Sequence, residues 1–384
     1  MRRVQVRWLP LVTLLLTATV GDVQGQSLKV GEKLEVLEER AHKDSCDAAA
    51  QYNVAMGYLS KEKYDAADQA LRRAIAIEPQ FADAYLALSI SRDKDGNYWR
   101  KLKKAGKDSV KASVKELEGF YRKAFLLDPL IDVKIIGSVV YIRPWGDFAK
   151  GVKDLVEGKY PSAHDHFSNE VKDMAKGGAL DSVPEILLWL RALSASHSEN
   201  YDEAVNDLEV LVNKSEVRVV TDSEPDETPL LANEYRYMMA AIRQKQGRTD
   251  DAVHIYQTVL EHDLGNFMAH VQLARIQEKA HNYEAALIER RRAVEANPDD
   301  PTLLLDLGVT LGKSGQFTPA AQTLEQAAAA NPRDSRPLYW LGIAYDQLQK
   351  PVDAKSAYSR FLAIAPTRYE PQITKAKERL TQLQ

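Results

Sequence analysis

The sequence is short of the features that mark several large protein classes. Its 384 residues include one cysteine, Cys46, so no internal disulfide can form and stability must come from a packed core. Lys and Arg number 51 against 55 Asp and Glu, and the formal charge of −4 provides no general attraction to nucleic acid. Apolar residues make up 45% and charged residues 28% of the chain, as in ordinary folded proteins. These proportions exclude a disordered, collagen-like or polytopic membrane protein.

Catalytic motifs are also missing. There is no His-Glu-x-x-His zinc site, no Gly-x-Ser-x-Gly turn and no phosphate-binding glycine loop. His164 and His166 stand two apart, and on a helix they would point to nearly opposite sides. His166 and Glu170 could supply two metal ligands, but nothing nearby completes a set of three or four. We therefore predict no catalytic residue, no metal and no cofactor.

The amino-terminal segment, residues 1–25, resembles a secretory signal peptide. Three arginines among the first seven residues precede an apolar stretch at residues 8–20, which is too short to span a bilayer comfortably. Val23 and Gly25 provide small residues three and one positions before Gln26. We expect cleavage between Gly25 and Gln26 and a periplasmic or secreted protein. The alternative is an uncleaved amino-terminal anchor or an exposed apolar tail.

An internal repeat organises the carboxyl-terminal third. Pro298, Pro332 and Pro366 follow one another at equal spacing. Alanine recurs at the same step, at Ala252, Ala286, Ala320 and Ala354. The period of about 34 residues and the pattern of small residues, alanine and proline resemble the tetratricopeptide repeat family. The resemblance implies an all-α solenoid built from stacked helical hairpins.

Eight hairpin units can be aligned to this pattern. They start near Ala48, Ala82, Pro144, Glu185, Asn233, Phe267, Pro301 and Ser335. The eighth place of each first helix is small, as closely crossing helices require: Ala55, Ser89, Gly151, Ala192, Ala240, Ala274, Gly308 and Gly342. Alanine occupies a matching place in every second helix except that of the second unit, which has Leu117 and an insertion.

The units predict a division of the mature chain into seven segments. The predicted segments are a capping helix (26–47), two units (48–129), a linker (130–143), two units (144–218), an acidic linker (219–232), four regular units (233–366) and a final capping helix (367–384). Residues 130–146 are rich in Val and Ile and could contain a short helix or a strand-like piece.

A basic insertion interrupts the second unit. It contains Trp99, Arg100, Lys101, Lys103 and Lys104. These residues could bind an anionic lipid, glycan or phosphate. Without a ligand, they would form a solvated lysine-rich extension of a helix.

The resemblance implies a non-catalytic protein that binds protein partners on its inner face, which the first helices form. The fifth and ninth places of those helices are largely apolar, so we predict a groove for a peptide or partner helix. The partner-binding candidates are Leu305, Val309, Tyr339 and Ile343, flanked by Arg275 and Arg336. Two alternatives stay open: the apolar row packs against adjacent units, or the protein carries an envelope glycan or lipid through the basic insertion.

Overall fold

The computed structural model describes residues 33–133, 146–175, 179–221 and 231–383. Within these stretches the backbone is predominantly α-helical and contains no strand. Each helix packs mainly on helices adjacent in the chain, which confirms the predicted all-α solenoid of helical hairpins. No helix in the described stretches is long and apolar enough to cross a membrane.

The amino-terminal half contains a capping helix, four hairpins and one inserted helix. Its helices are α1 (Leu34–Lys43), α2 (Ala48–Leu59), α3 (Tyr64–Ile77), α4 (Ala82–Lys94), α5 (Gly96–Ala105), α6 (Lys107–Leu127), α7 (Gly146–Val156), α8 (Tyr160–Met174), α9 (Glu185–His197) and α10 (Tyr201–Thr221). Units one to four are α2 with α3, α4 with α6, α7 with α8, and α9 with α10. A short 3₁₀ helix, Leu180–Ser182, precedes α9.

The carboxyl-terminal half contains four hairpins of nearly identical length and a final helix. Its helices are α11 (Ala232–Lys245), α12 (Thr249–His262), α13 (Phe267–Lys279), α14 (Tyr283–Ala296), α15 (Pro301–Lys313), α16 (Phe317–Ala330), α17 (Arg336–Gln347), α18 (Pro351–Ile364) and α19 (Glu370–Gln382). A 3₁₀ helix, Thr367–Tyr369, leads into α19. Taken in consecutive pairs, α11 to α18 form units five to eight. Every observed first helix begins within two residues of the start expected from the period.

Local sequence explains where several helices begin and how the hairpins turn. Side chains of the residues before the first turn accept backbone hydrogen bonds at Asp47, Asp95, Asn266 and Asp300. In seven hairpins the turn contains one residue with positive φ, at Glu62, Gly158, Glu199, Gly247, His281, Gly315 and Gln349. Since the last four are each one period apart, the period also determines where the backbone turns into the left-handed region.

The small residue at the eighth place allows a large side chain to lie against the first helix. A Cβ added to Gly308 would lie 2.6 Å from Cγ of Leu324, and one added to Gly342 would lie 2.5 Å from the Tyr358 ring. Leu324 and Tyr358 stand one helical turn after the periodic alanines Ala320 and Ala354, which are completely buried. The prediction of close helix crossing is therefore correct. The atoms closest to each glycine belong to Leu324 and Tyr358, and not to the periodic alanines.

The basic insertion differs from the predicted helix extension. It forms a separate helix, α5. Asp95 caps the start of this helix, and Gly106, with a φ of 114°, ends it before α6 begins. Of the valine- and isoleucine-rich linker, Ile131 and Val133 are described and are buried. The predicted signal peptide, most of that linker and most of the acidic linker lie outside the described residues.

Candidate functional site

The predicted apolar row on the first helices is mostly buried at its fifth places. Val271 is 0% and Leu305 4% exposed, and Tyr237 is also buried. Leu305 shares a buried cluster with Leu324 of its own unit and Leu341 of the next. At these positions the structure shows packing, which was one of the two alternatives open from the sequence.

The ninth places of units five to eight are more accessible. Ala241, Val309 and Ile343 are half-buried, and Arg275 is exposed. Among the described residues these side chains form an apolar row with one cation, at a constant place in consecutive first helices.

Tyr339 lies at the fifth place of unit eight and is half-buried. Its ring centroid is 5.3 Å from that of Phe361 and 5.9 Å from that of Trp340. Burial raises the pKa of its hydroxyl. Tyr339 and Ile343 pack against the cluster that contains Tyr358 and Phe361, so the structure places these two candidates together.

The second unit covers the inner side of units five and six. Leu127 of α6 belongs to the buried cluster that contains Tyr237, Phe267, Met268 and Val271. Ala82, Tyr85 and Leu126 pack against the same cluster. The Lys123 ammonium lies 4.6 Å from the centroid of the Phe267 ring, and Arg122 is 3.8 Å from the Glu234 carboxylate. The chain therefore folds its own early hairpin over apolar residues of its later first helices.

Charged side chains join the two ends of the array. Arg336, predicted to meet an acidic group of a partner, lies 2.8 Å from the Asp334 carboxylate and 3.6 Å from that of Glu78 in its own chain. Arg368 lies 3.2 Å from the Asp47 carboxylate and 3.7 Å from that of Glu78. We call Asp47, Glu78, Arg336 and Arg368 the latch.

The environment of the latch perturbs its ionisation. Burial disfavours the charge of Arg336, but Asp334 and Glu78 outweigh it and raise the arginine pKa. Burial raises the pKa of Asp47, which is 0% exposed, and Arg368 offsets part of that effect. Periodicity gave no signal for these contacts, because the residues lie in turns and beside helix ends far apart in the chain.

Three hydrogen bonds run beside the latch. The Asn331 side-chain amide donates to the Ile77 carbonyl at 2.9 Å, and the Gln80 amide donates to Asp300 at 3.0 Å. The Thr367 hydroxyl donates to Asp44 at 2.9 Å. Together with the latch they connect the first unit and its flanks to the turns of units seven and eight.

In the basic insertion the cationic side chains are exposed to solvent, whereas the aromatic rings are buried or half-buried. Arg100, Lys101, Lys103 and Lys104 are exposed, whereas Trp99 is 9% exposed. The neighbouring Tyr98 hydroxyl donates to Ser113, and the Arg92 guanidinium lies 4.8 Å from the Tyr98 ring centroid. An anionic ligand would meet a row of lysines and one arginine with little aromatic surface.

The histidines considered as metal ligands have separate partners. His164 is 2.8 Å from the Glu203 carboxylate, and His166 is 3.2 Å from the Asp147 carboxylate. In the described stretches no group of three or more His, Cys, Asp and Glu side chains has the arrangement of a metal site.

The fold and this surface define a helical-repeat scaffold. A family model for the tetratricopeptide repeat matches residues 237–301 and 305–369, and a second model of the same repeat matches residues 48–81. These matches and the observed helical hairpins support a protein of the tetratricopeptide repeat type. Such proteins generally act as non-catalytic scaffolds for protein interaction. No curated protein matches this chain significantly.

Several solved structures resemble the fold. The carboxyl-terminal part of a repeat protein from Cytophaga hutchinsonii is 17% identical, with 60% of this chain and 85% of that chain covered and a TM-score of 0.48. MamA from Desulfovibrio magneticus is 18% identical, covering 47% and 94%, with a TM-score of 0.38. YrrB, described as having an unusual peptide-binding site, is 16% identical, covering 55% and 97%, with a TM-score of 0.40. The family assignment depends on the repeat models and the observed hairpins.

Proposed function

We propose that this protein is an exported scaffold that binds a peptide or a partner helix along the ninth places of its regular first helices. The observation that carries the proposal is the contrast between the two rows in units five to seven. The fifth places are buried, while Ala241 and Val309 are half-buried and Arg275 is exposed. Accessible apolar side chains at a constant spacing suit the anchors of an amphipathic helix or extended peptide.

The binding surface extends into unit eight. Ile343 continues the ninth-place row, and Tyr339 and Trp340 add half-buried aromatic surface beside it. Aromatic and arginine side chains often dominate binding energy, and we propose that the exposed Arg275 pairs with an acidic group of the partner. Leu305 and Arg336 contribute packing and intramolecular ion pairs instead of exposed binding surface.

Substitution of the ninth-place row tests the proposal. The partner is first captured from the exported fraction of the host with the mature chain, and its affinity for purified variants is then measured. Ile343→Lys places a charge in the row and is expected to weaken binding at least about tenfold, since losing one interface anchor costs about 2 kcal/mol or more. Ile288→Lys is the matched control, because Ile288 is a half-exposed isoleucine on a second helix.

Tyr339→Ala separates binding from packing. Loss of the Tyr339 ring is also expected to weaken binding of the partner at least about tenfold. Because the substitution removes the ring contact with Phe361, melting must be measured in parallel. Retained binding with a destabilised array would make Tyr339 a packing residue. Binding lost only when Arg100, Lys101, Lys103 and Lys104 are neutralised would instead support a carrier of an anionic glycan or lipid.

The proposed export depends on the amino-terminal segment, residues 1–25. The arginines, the short apolar stretch and the small residues before Gln26 support a cleaved signal peptide. Intact mass of the protein purified from its own host should correspond to a chain beginning at Gln26. A cytoplasmic protein that retains its first residues would contradict export.

A further inference from the structure

The latch joins parts of the array that the repeat alone would leave apart. We propose that the latch holds the array closed over its own inner face, so that opening uncovers apolar residues of units five and six for the partner helix of the proposed function. The closure itself depends on the contacts described above. The use of the uncovered face rests on the proposed binding function.

What the closure covers is apolar. Tyr237, Phe267, Met268 and Val271 are all buried, and the side chains of unit two complete their cluster. They lie on first helices, the elements whose ninth places we propose as a binding row. An apolar surface of this kind would be available to a partner helix once unit two moved away.

Besides the apolar contacts of Leu126 and Leu127, the closure is held by polar contacts at its edge. Glu78 and Arg336 have side chains 29% and 27% exposed, so water and salt reach the pair. The polar contacts across the closure are made by side chains, in one case to a backbone carbonyl, whereas the helices of each hairpin pack closely along their length. The closure can therefore break without disrupting the hairpins, because each unit keeps its own neighbours.

Reversing the two arginines of the latch tests this inference in the full chain. In Arg336→Glu with Arg368→Glu, both new carboxylates face Glu78, and one also faces Asp47. We expect a larger radius of gyration in small-angle X-ray scattering and a severalfold rise in the fluorescence of 8-anilinonaphthalene-1-sulfonate, which binds exposed apolar surface. Helical circular dichroism should stay at the wild-type level.

The single cysteine provides an independent readout. Cys46 is partly buried and stands between Asp44 and Asp47, which both contact the segment that begins at Thr367. Opening should therefore increase the rate of its reaction with 5,5′-dithiobis(2-nitrobenzoate) severalfold.

Two further variants make the test specific. Arg291→Glu with Arg360→Glu introduces the same charge change at exposed positions of second helices and should behave like wild type. Adding Glu78→Arg to the latch double variant restores opposite charges at two of the three ion pairs and should reverse much of the opening. If the double variant loses helicity, Arg336→Gln with Arg368→Gln repeats the test without the added repulsion.

The outcomes distinguish this inference from the proposed function. Wild-type scattering, dye fluorescence and Cys46 reactivity in the folded latch variant would overturn the closure mechanism. That result would not affect the test at Ile343, which uses a different surface and measures binding. Conversely, opening with full rescue would support the latch even if Ile343→Lys bound the partner normally.

Discussion

Units five to eight and units one to four differ in the contacts that bury their apolar faces. The carboxyl-terminal units repeat at a constant period, and each contacts its neighbours through equivalent places. The amino-terminal units contain the inserted helix α5 and the longer helices α6 and α10. Side chains of α6 also contact units distant in sequence. The comparison shows that regular spacing supports nearest-neighbour packing, and that the lengthened helix α6 adds contacts with distant units.

Two buried charge networks, one from each half, differ in which helices they join. In unit four, Arg191 donates to Asp207 within one hairpin, with Asp207 at 0% exposure. In the regular half, Arg290 of unit six pairs with Glu278 of its own hairpin and with Asp306 of unit seven. The first network holds two helices together, and the second also links consecutive units.

The largest expected effect on the exposure of apolar surface comes from separating the two halves of the chain. A fragment from Leu230 to Gln384 should fold alone, because its four units keep their spacing and the final helix α19. Its helical circular dichroism should melt as a cooperative transition. Without unit two it should also bind an apolar dye or self-associate, since Phe267 and Val271 lose their cover. A coil-like spectrum would show that the regular units depend on the amino-terminal half.

Removing Arg191 should destabilise the irregular half strongly. Arg191→Met leaves the Asp207 carboxylate without its main ion pair, and breaking a buried pair costs about 3–5 kcal/mol. Chemical denaturation gives the change in the free energy of unfolding. Arg248→Met is the control: its pair with Asp251 is about half exposed, and such pairs contribute roughly 0–1 kcal/mol. Equal effects of the two substitutions would contradict a buried network.

Two glycines of one helix test the packing of the regular half. Gly308→Ala introduces a Cβ against Leu324 and should lower the free energy of unfolding by about 1–3 kcal/mol. Gly312→Ala, one turn later, has nothing within 4 Å and should raise it by roughly 0.5–1 kcal/mol, because alanine favours a helix. Opposite signs in thermal or chemical melts are the expected result, and destabilisation of equal size would show that crowding is not the cause.

The last predicted effect is a dependence of stability on pH, which arises in unit two. Burial, followed by the charges of Asp128 and Asp132, raises the pKa of Asp83 to about 7 from the ordinary 3.8. Between these values the folded state holds a proton that the unfolded state releases, so stability falls as pH rises through that window.

The variant Asp83→Asn removes that titration. It should be more stable than wild type above about pH 7, and the difference should shrink as the pH falls toward 3.8. Denaturation midpoints of both proteins across the range check this. A difference that grows on acidification would show that Asp83 is stabilised as a carboxylate.

Several sequence predictions concern short-range structure, and their success has a physical cause. The period of the prolines and alanines located the first helices within two residues, because helix caps and hairpin packing are determined by residues close in the chain. Gly308 and Gly342 were correctly assigned to close helix crossings. The sequence did not predict that the inserted residues form a separate helix, because that helix depends on the cap at Asp95 and the turn at Gly106.

The candidate site could be predicted less completely from the sequence than the fold. Apolar residues at the fifth and ninth places have the same pattern whether they pack or bind, so the sequence left both alternatives open for Leu305 and Val309. The structure buries Leu305 and leaves Val309 half-buried. Partner binding at Val309, Tyr339, Ile343 and Arg275 stays a prediction.

The sequence by itself determined the repeat, the small residues at helix crossings and the helical fold, since these depend on local geometry that recurs in every unit. Only the tertiary structure decided which apolar residues are covered and which charges meet. Asn331 and Ile77 are 254 residues apart in the chain, yet they form a hydrogen bond. Their approach depends on the accumulated rotation of the intervening hairpins, a sum of small angles that no single residue pattern specifies.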